Sequence, residues 1–424
     1  MPASQRFEIG GRRATYVLVI CSLLHAVSYA DWQVMSIVLQ PLKRDLGLSD
    51  VQIGVANTAY FVGIIVFTLP VSHLVDAWSR KKMIGAMALA WSACTLATGL
   101  AGGFAALLVA RLGVGVGEAG FGPGGTALVS ASYPERQRGQ KLGVFNVFVT
   151  VGVIVGVIAG GYLSAHHGGW RTPFYVFGVP GLVLGGLAFA MQDYRLPRTR
   201  APFVANLRAL LRIRTLRWLY LGLGMYAVLQ ISVGTWFPSL LIRAYDLRED
   251  QAGLVMGVVS ILGLAGPILG GVLADRWQHR FAGGRMRLAS LSIAIAAGFM
   301  WLVLLAALDL HNRPLMWFCA AMMPLHSIFV GMALPAVAAT TQDVVPPHQK
   351  GLAWGAALVA LFLLGGAWGP LLVGAVSDQL DAGYRGLALG LAITGGFGLL
   401  ASAAWRVAAR HVDGDVQLAK VAAR

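Results

Sequence analysis

Charge is scarce in this chain. Only 12% of its 424 residues are Asp, Glu, Lys or Arg, where a soluble globular protein carries roughly a quarter. A polar shell for a soluble protein of this length cannot be built from so few. Cysteine is scarcer still. Cys21, Cys94 and Cys319 each sit inside an apolar stretch, with no spacing that suggests a disulfide framework or a metal site. They read as packing residues. The nine histidines do not cluster as ligands or as a nucleophile–base set. No catalytic residue, cofactor or metal is therefore expected, and an enzyme acting within the membrane is the weaker reading.

What the chain has instead is hydrophobic length. Apolar residues make up 57% of it, with 54 glycines, the small residue that lets helices approach closely in lipid. A run of about 20 apolar residues crosses a bilayer, and reading along the sequence gives twelve such spans, the first near 16–41 and the last near 386–409. The first is too long for a signal-peptide core and contains Asp31. Lys and Arg concentrate in alternate connecting segments, 25 on one side against 7 on the other. That bias places both termini in the cytoplasm. It also accounts for the net charge of +15 without nucleic acid. The expected localisation is the cytoplasmic (inner) membrane.

The chain repeats itself once. Leu48–Gly54 parallels Leu247–Gly253 at an offset of 199, and Asp76 parallels Asp275 at the same offset. Pro123, Pro134 and Gly139 parallel Pro335, Pro346 and Gly351 at an offset of 212. A repeat that covers six spans points to a transporter built from two like-oriented halves. The expected organisation is a six-helix bundle over 1–194, a cytoplasmic Arg-rich linker over 195–215, and a second bundle over 216–424. The linker can lie as an amphipathic helix on the anionic leaflet or form a plain loop.

After the second span the chain reads Ser72-His73-Leu74-Val75-Asp76-Ala77-Trp78-Ser79-Arg80; after the eighth, Gly271-Val272-Leu273-Ala274-Asp275-Arg276. These resemble the loop motif of the major facilitator superfamily, in which the Asp latches the cytoplasmic ends of neighbouring helices. By that resemblance Asp76, Arg80, Gly271, Asp275 and Arg276 form the gating motif. The first copy departs from the pattern at Ser72 and Ala77.

Three charges fall inside spans of the first half: Asp31, Arg111 and Glu118. Intramembrane charges are costly, so they face a wet interior and pair. Arg111 and Glu118, seven residues apart, share a helix face about 10 Å apart along the axis. Two carboxylates and one guanidinium leave one negative charge over, which is the physical minimum for taking up a proton. Gly115, Gly117 and Gly120 have a dinucleotide-loop-like spacing, but they sit mid-span rather than after a strand, which excludes that reading.

Together with Tyr133-Pro134-Glu135-Arg136-Gln137-Arg138-Gly139, these residues resemble the Spinster-like branch of the major facilitator superfamily. The resemblance implies an all-α membrane protein with twelve transmembrane helices in two pseudo-symmetric halves. It implies alternating access, coupling of protons through Asp31, Arg111 and Glu118, and a lysolipid-like or sphingoid substrate. The residues alone also allow an importer of sugar acids or aromatic acids that uses Arg111 as an anion clamp, or a transporter-derived sensor. Asn146, Tyr226, Gln230, Trp236, His326 and Trp354 are the candidate cavity residues. Pro324 and Pro335 are expected to break the tenth span as Pro123 breaks the fourth. The expected partners are membrane lipids, protons and a small substrate, with no nucleic acid, and the chain is expected to be a monomer.

Overall fold

A computed structural model describes residues 11–77, 79–193, 203–307, 313–346, 349–380 and 383–422. Its regular structure is all helical, with no strand among these residues. Among the described residues, ten helical stretches are long and apolar enough to cross a membrane by length and composition. Two further helices, Arg80–Gly99 and Arg171–Ala188, stand where the third and sixth spans were expected.

The described residues fall into two compact units, the first within 1–48, 55–199 and 248–257, the second within 49–54, 200–247 and 258–424. In chain order the first half contributes α1 (Gly11–Leu46), α2 (Asp50–Ala77), α3 (Arg80–Gly99), α4 (Phe104–Glu118), α5 (Phe121–Ser132), α6 (Glu135–His166) and α7 (Arg171–Ala188). Within the first unit, α1 packs along α6 and α7, and α3 along α4 and α7. The second half begins with α8 (Phe203–Arg212), α9 (Arg214–Tyr245), α10 (Glu249–Gly263), α11 (Ala265–Arg280) and α12 (Gly284–Ala307). It continues with α13 (Arg313–Asp343), α14 (Lys350–Leu361), a π-helical turn (Phe362–Gly366), α15 (Gly369–Gln379), α16 (Tyr384–Ala409) and α17 (Val412–Ala422). Within the second unit, α9 packs on α16, and α12 on α13 and α16.

The interruption of the fourth span has a local cause. Pro123 has no N–H, so the carbonyl four residues earlier, that of Ala119, loses its helical donor. A bare carbonyl is not tolerated in hydrocarbon. Thr68 Oγ1 from α2 lies 3.1 Å from Ala119 O and 2.5 Å from Ile64 O of its own helix, so its one hydroxyl proton is shared between the two carbonyls. The helix ends at Glu118 and restarts at Phe121, which leaves Glu118 at the break. The tenth span is different. α13 runs through both Pro324 and Pro335 without interruption, contrary to the sequence-based expectation; membrane helices tolerate proline wherever the freed carbonyls find other donors. The second half is broken instead at Leu264, three residues before Pro267, and at the π-helical turn before Pro370.

The second copy of the loop motif places Asp275 against Arg285, at the start of α12. Nη2 of Arg285 donates to Asp275 Oδ1 at 2.7 Å, and Nε to the same oxygen at 3.2 Å. Arg285 also pairs with Asp343 at the end of α13. The cation of this cluster is thus Arg285, and Arg276 is exposed. The side chain of Asp76 lies outside the described residues, and Arg80 is buried at the start of α3. Because the Asp275 and Asp343 side chains are 64% and 44% exposed, Arg285→Ala is expected to cost at most about 1 kcal/mol of stability. Thermal unfolding of the purified variant checks this, and a loss of several kcal/mol is the result against it.

Candidate functional site

Glu118 stands at the break between α4 and α5, Arg111 lies earlier in α4, and Asp31 lies in α1. Arg111 is 0% exposed and Asp31 1%, whereas Glu118 is half-buried. All three lie within electrostatic reach of one another, in a medium where such interactions are only weakly screened.

Their hydrogen bonding is unequal. Glu118 is held on both oxygens: Ser28 Oγ of α1 donates to Oε1 at 2.9 Å, and the Tyr60 hydroxyl of α2 donates to Oε2 at 2.6 Å. Asp31 Oδ2 accepts from Thr95 Oγ1 of α3 at 2.7 Å, while its Oδ1 has no donor among the described residues. No nitrogen of the Arg111 guanidinium has a hydrogen-bond acceptor among them. Its Cζ instead lies 4.9 Å from the centroid of the Tyr60 ring, a cation–π arrangement that gains strength when desolvated. Tyr60 therefore touches both partners, its face toward Arg111 and its hydroxyl on Glu118.

The glycines of α4 make this geometry possible. A Cβ on Gly115 would lie 2.0 Å from the Tyr60 carbonyl oxygen, and one on Gly117 would lie 2.6 Å from Trp91 N. The helix needs bare backbone there for α2 and α3 to come close enough to reach its charges. A nearby buried histidine, His25 of α1, stacks on Phe145 of α6 with centroids 4.3 Å apart.

Ser28, Tyr60, Thr95 and His25 were not singled out as site residues from sequence. A Tyr, Ser or Thr in an apolar helix is a common packing residue, and only helix contacts reveal that these three aim at carboxylates.

Of the six candidate cavity residues, Asn146 lies in the first unit and Tyr226, Gln230, Trp236, His326 and Trp354 lie in the second. Tyr226 is buried, its ring 5.8 Å from that of Trp405. Trp236 is buried and donates to the Pro370 carbonyl at 2.9 Å. His326 is 2% exposed; its Nδ1 lies 2.8 Å from Ala296 O, and its Nε2 has no partner among the described residues. Trp354 is half-buried, and Gln230 and Asn146 are exposed. The Asn146 amide donates to Leu142 O of its own helix.

The sequence profile of the Major Facilitator Superfamily matches residues 21–370. Among curated proteins, the chain is 25% identical to protein spinster homolog 1 of Homo sapiens over 452 aligned residues, 97% of this chain and 83% of that one. It is likewise 25% identical to a probable galactarate/D-glucarate transporter of Bacillus subtilis over 374 residues, 80% of each chain. Among solved structures, the fold matches a bacterial homologue of the human lysosomal transporter Spinster in an inward-facing, unoccupied conformation. That match has a TM-score of 0.84 at 22% identity and covers 96% of this chain and 99% of that one. With the family profile spanning most of its length, the chain belongs to the Major Facilitator Superfamily.

Proposed function

We propose that this chain is a proton-coupled secondary transporter that works by alternating access and moves a small amphiphilic or lipid-like substrate. On this reading it sits in the cytoplasmic membrane with both termini in the cytoplasm, in two six-helix halves joined through 195–215. The observation that carries the proton coupling is Arg111: a fully buried guanidinium with no acceptor among the described residues, within electrostatic reach of two carboxylates. Such a cation is not committed to either carboxylate. Adding a proton to one makes the other its better partner, so proton occupancy is coupled to the placement of α1, α2 and α4. Glu118, half-buried, is the accessible proton acceptor; Asp31, sealed, is the responding one.

The amphiphile reading draws on the likeness to Spinster proteins. The likeness to a probable sugar-acid transporter favours a second reading, in which a small organic anion is carried. Arg111 bears on the choice: at 0% exposure, with its face on Tyr60, it serves as an internal switch better than as a clamp open to solute. Flux in proteoliposomes with and without an imposed pH gradient tests the coupling, and wild-type flux that ignores the gradient overturns it. A thermal-shift screen of lysolipids and sphingoid bases against sugar acids and aromatic acids decides between the substrates.

Tyr60 supplies a separate test. Tyr60→Phe keeps the ring beside Arg111 and removes one donor to Glu118. A hydrogen bond to a charged group is worth about 1.5–3 kcal/mol, so gradient-driven uptake is expected to fall about tenfold or more. Tyr60→Leu removes the ring interaction as well and is expected to fall further. Equal, wild-type-like uptake by both variants counts against the bridging role.

A further inference from the structure

A shallow, largely open surface cavity of about 460 Å³ lies in the second unit. Arg214, Arg217, Trp218, Leu221 and His411 line it. The first four occupy positions i, i+3, i+4 and i+7 of α9, which is one face of its first two turns. His411 closes the site just before α17. Arg214 and Arg217 are exposed, and neither guanidinium has an acceptor among the described residues. Asp415, which reaches the start of α9, is already engaged: its Oδ2 accepts from Thr215 N at 2.9 Å and from Thr215 Oγ1 at 2.7 Å.

The cavity changes character along the helix. From Arg214 to Leu221 is a rise of about 10 Å. Over that distance the wall passes from two guanidiniums and an imidazole to Trp218, 39% exposed, and Leu221, 41% exposed. Tryptophan prefers the level of the lipid headgroups, and exposed leucine below it belongs against acyl chains. Arg is suited to phosphate, which it can engage with two parallel N–H donors. The preceding helix α8 carries Arg208 and Arg212 on exposed positions and the fully buried Leu210, a segment suited to lie along the same interface.

We infer that this cavity binds the phosphate headgroup of an anionic membrane phospholipid. The phosphate sits between Arg214 and Arg217, and the start of an acyl chain lies on Trp218 and Leu221. A zwitterionic headgroup would bring its own cation against the arginines, and a free phosphate would leave the apolar wall unused. The inference does not depend on the transported substrate or on proton coupling.

The test uses the full-length protein purified in detergent and delipidated, with native mass spectrometry and thermal unfolding as readouts. The additives are phosphatidylglycerol, phosphatidylcholine and inorganic phosphate. Phosphatidylglycerol is expected to be retained at one molecule per chain and to raise the melting temperature, while the other two do neither. Arg214→Gln with Arg217→Gln, which keeps most of each side-chain stem, is expected to weaken that retention at least tenfold. Arg385→Gln, at an exposed position at the start of α16 outside the cavity, is the matched control and is expected to leave retention unchanged. Should the double glutamine variant not fold, Trp218→Ala with Leu221→Ala is read instead, with the same loss expected. Retention that survives the double variant, or equal stabilisation by inorganic phosphate or phosphatidylcholine, overturns the inference.

Discussion

Arg111→Ala is expected to abolish transport, with flux at or below about one hundredth of wild type. Asp31 is sealed from solvent at 1% exposure and has one oxygen without a donor, so its ionised form depends on the field of Arg111. Removing one partner from a buried set of charges costs about 3–5 kcal/mol, because the remaining charge has neither water nor counter-ion. That is two orders of magnitude or more in any equilibrium the transport cycle needs. The neutral variants should behave differently. Asp31→Asn and Glu118→Gln remove the surplus negative charge while leaving Arg111 one carboxylate, so the protein should still fold and bind substrate. What they lose is the link to protons: exchange down a substrate gradient is expected to persist, and accumulation driven by a pH gradient to vanish. Proteoliposome flux measured under both conditions separates these cases. If both neutral variants keep full gradient-driven accumulation, the cluster is structural and the coupling reading fails.

Much of this site was legible before any coordinates, because hydrocarbon makes charge conspicuous. Asp31, Arg111 and Glu118 stand out in apolar spans, and the glycines beside them announce close helix contact. The parts that stayed hidden are those whose residue types are unremarkable in a membrane. Tyr60 and Thr95 look like packing residues until a second helix brings a carboxylate to them. The cation that pairs with Asp275 stayed hidden for a related reason. Arg276 is adjacent to Asp275 in the chain, whereas Arg285 reaches Asp275 because the turn into α12 folds back over ten residues. The prolines of α13 misled in the opposite direction. Both sit inside an unbroken helix, as Pro41, Pro180 and Pro238 do in α1, α7 and α9, so a proline in the sequence does not by itself mark a break. The connection to α9 follows the same pattern: seven arginines in 195–217 were plain from sequence, but the cavity that two of them share with His411 needed the fold.

The repeat arithmetic held one further pair in plain view, and it carries the second large expected effect. Arg44 and Arg243 stand 199 residues apart, as do Asp50 and Glu249. The structure joins each arginine to the acid of the other repeat, but with very different strength. Arg44 reaches Glu249 at 3.9 Å with its side chain 70% exposed. Arg243 grips both oxygens of Asp50 at 2.6 and 2.7 Å, and the Asp50 side chain is 0% exposed. Ser377 Oγ adds a donor to Asp50 Oδ2 at 2.6 Å. The carboxylate of Asp378 accepts from Asp50 N and Val51 N at 2.9 and 2.7 Å, satisfying two orphan amides at the start of α2. Burial decides which pair matters. Arg44→Ala is expected to cost less than about 1 kcal/mol, whereas Arg243→Ala strands a buried carboxylate and is expected to cost about 3–5 kcal/mol. Asp50→Asn combined with Arg243→Gln removes both charges and keeps groups able to hydrogen-bond, so it should recover much of that loss. Unfolding of the purified variants, arranged as a double-mutant cycle, gives the coupling directly. Additive effects at Asp50 and Arg243, or an Arg243→Ala variant as stable as Arg44→Ala, would show that this clamp does not hold the start of α2 in place.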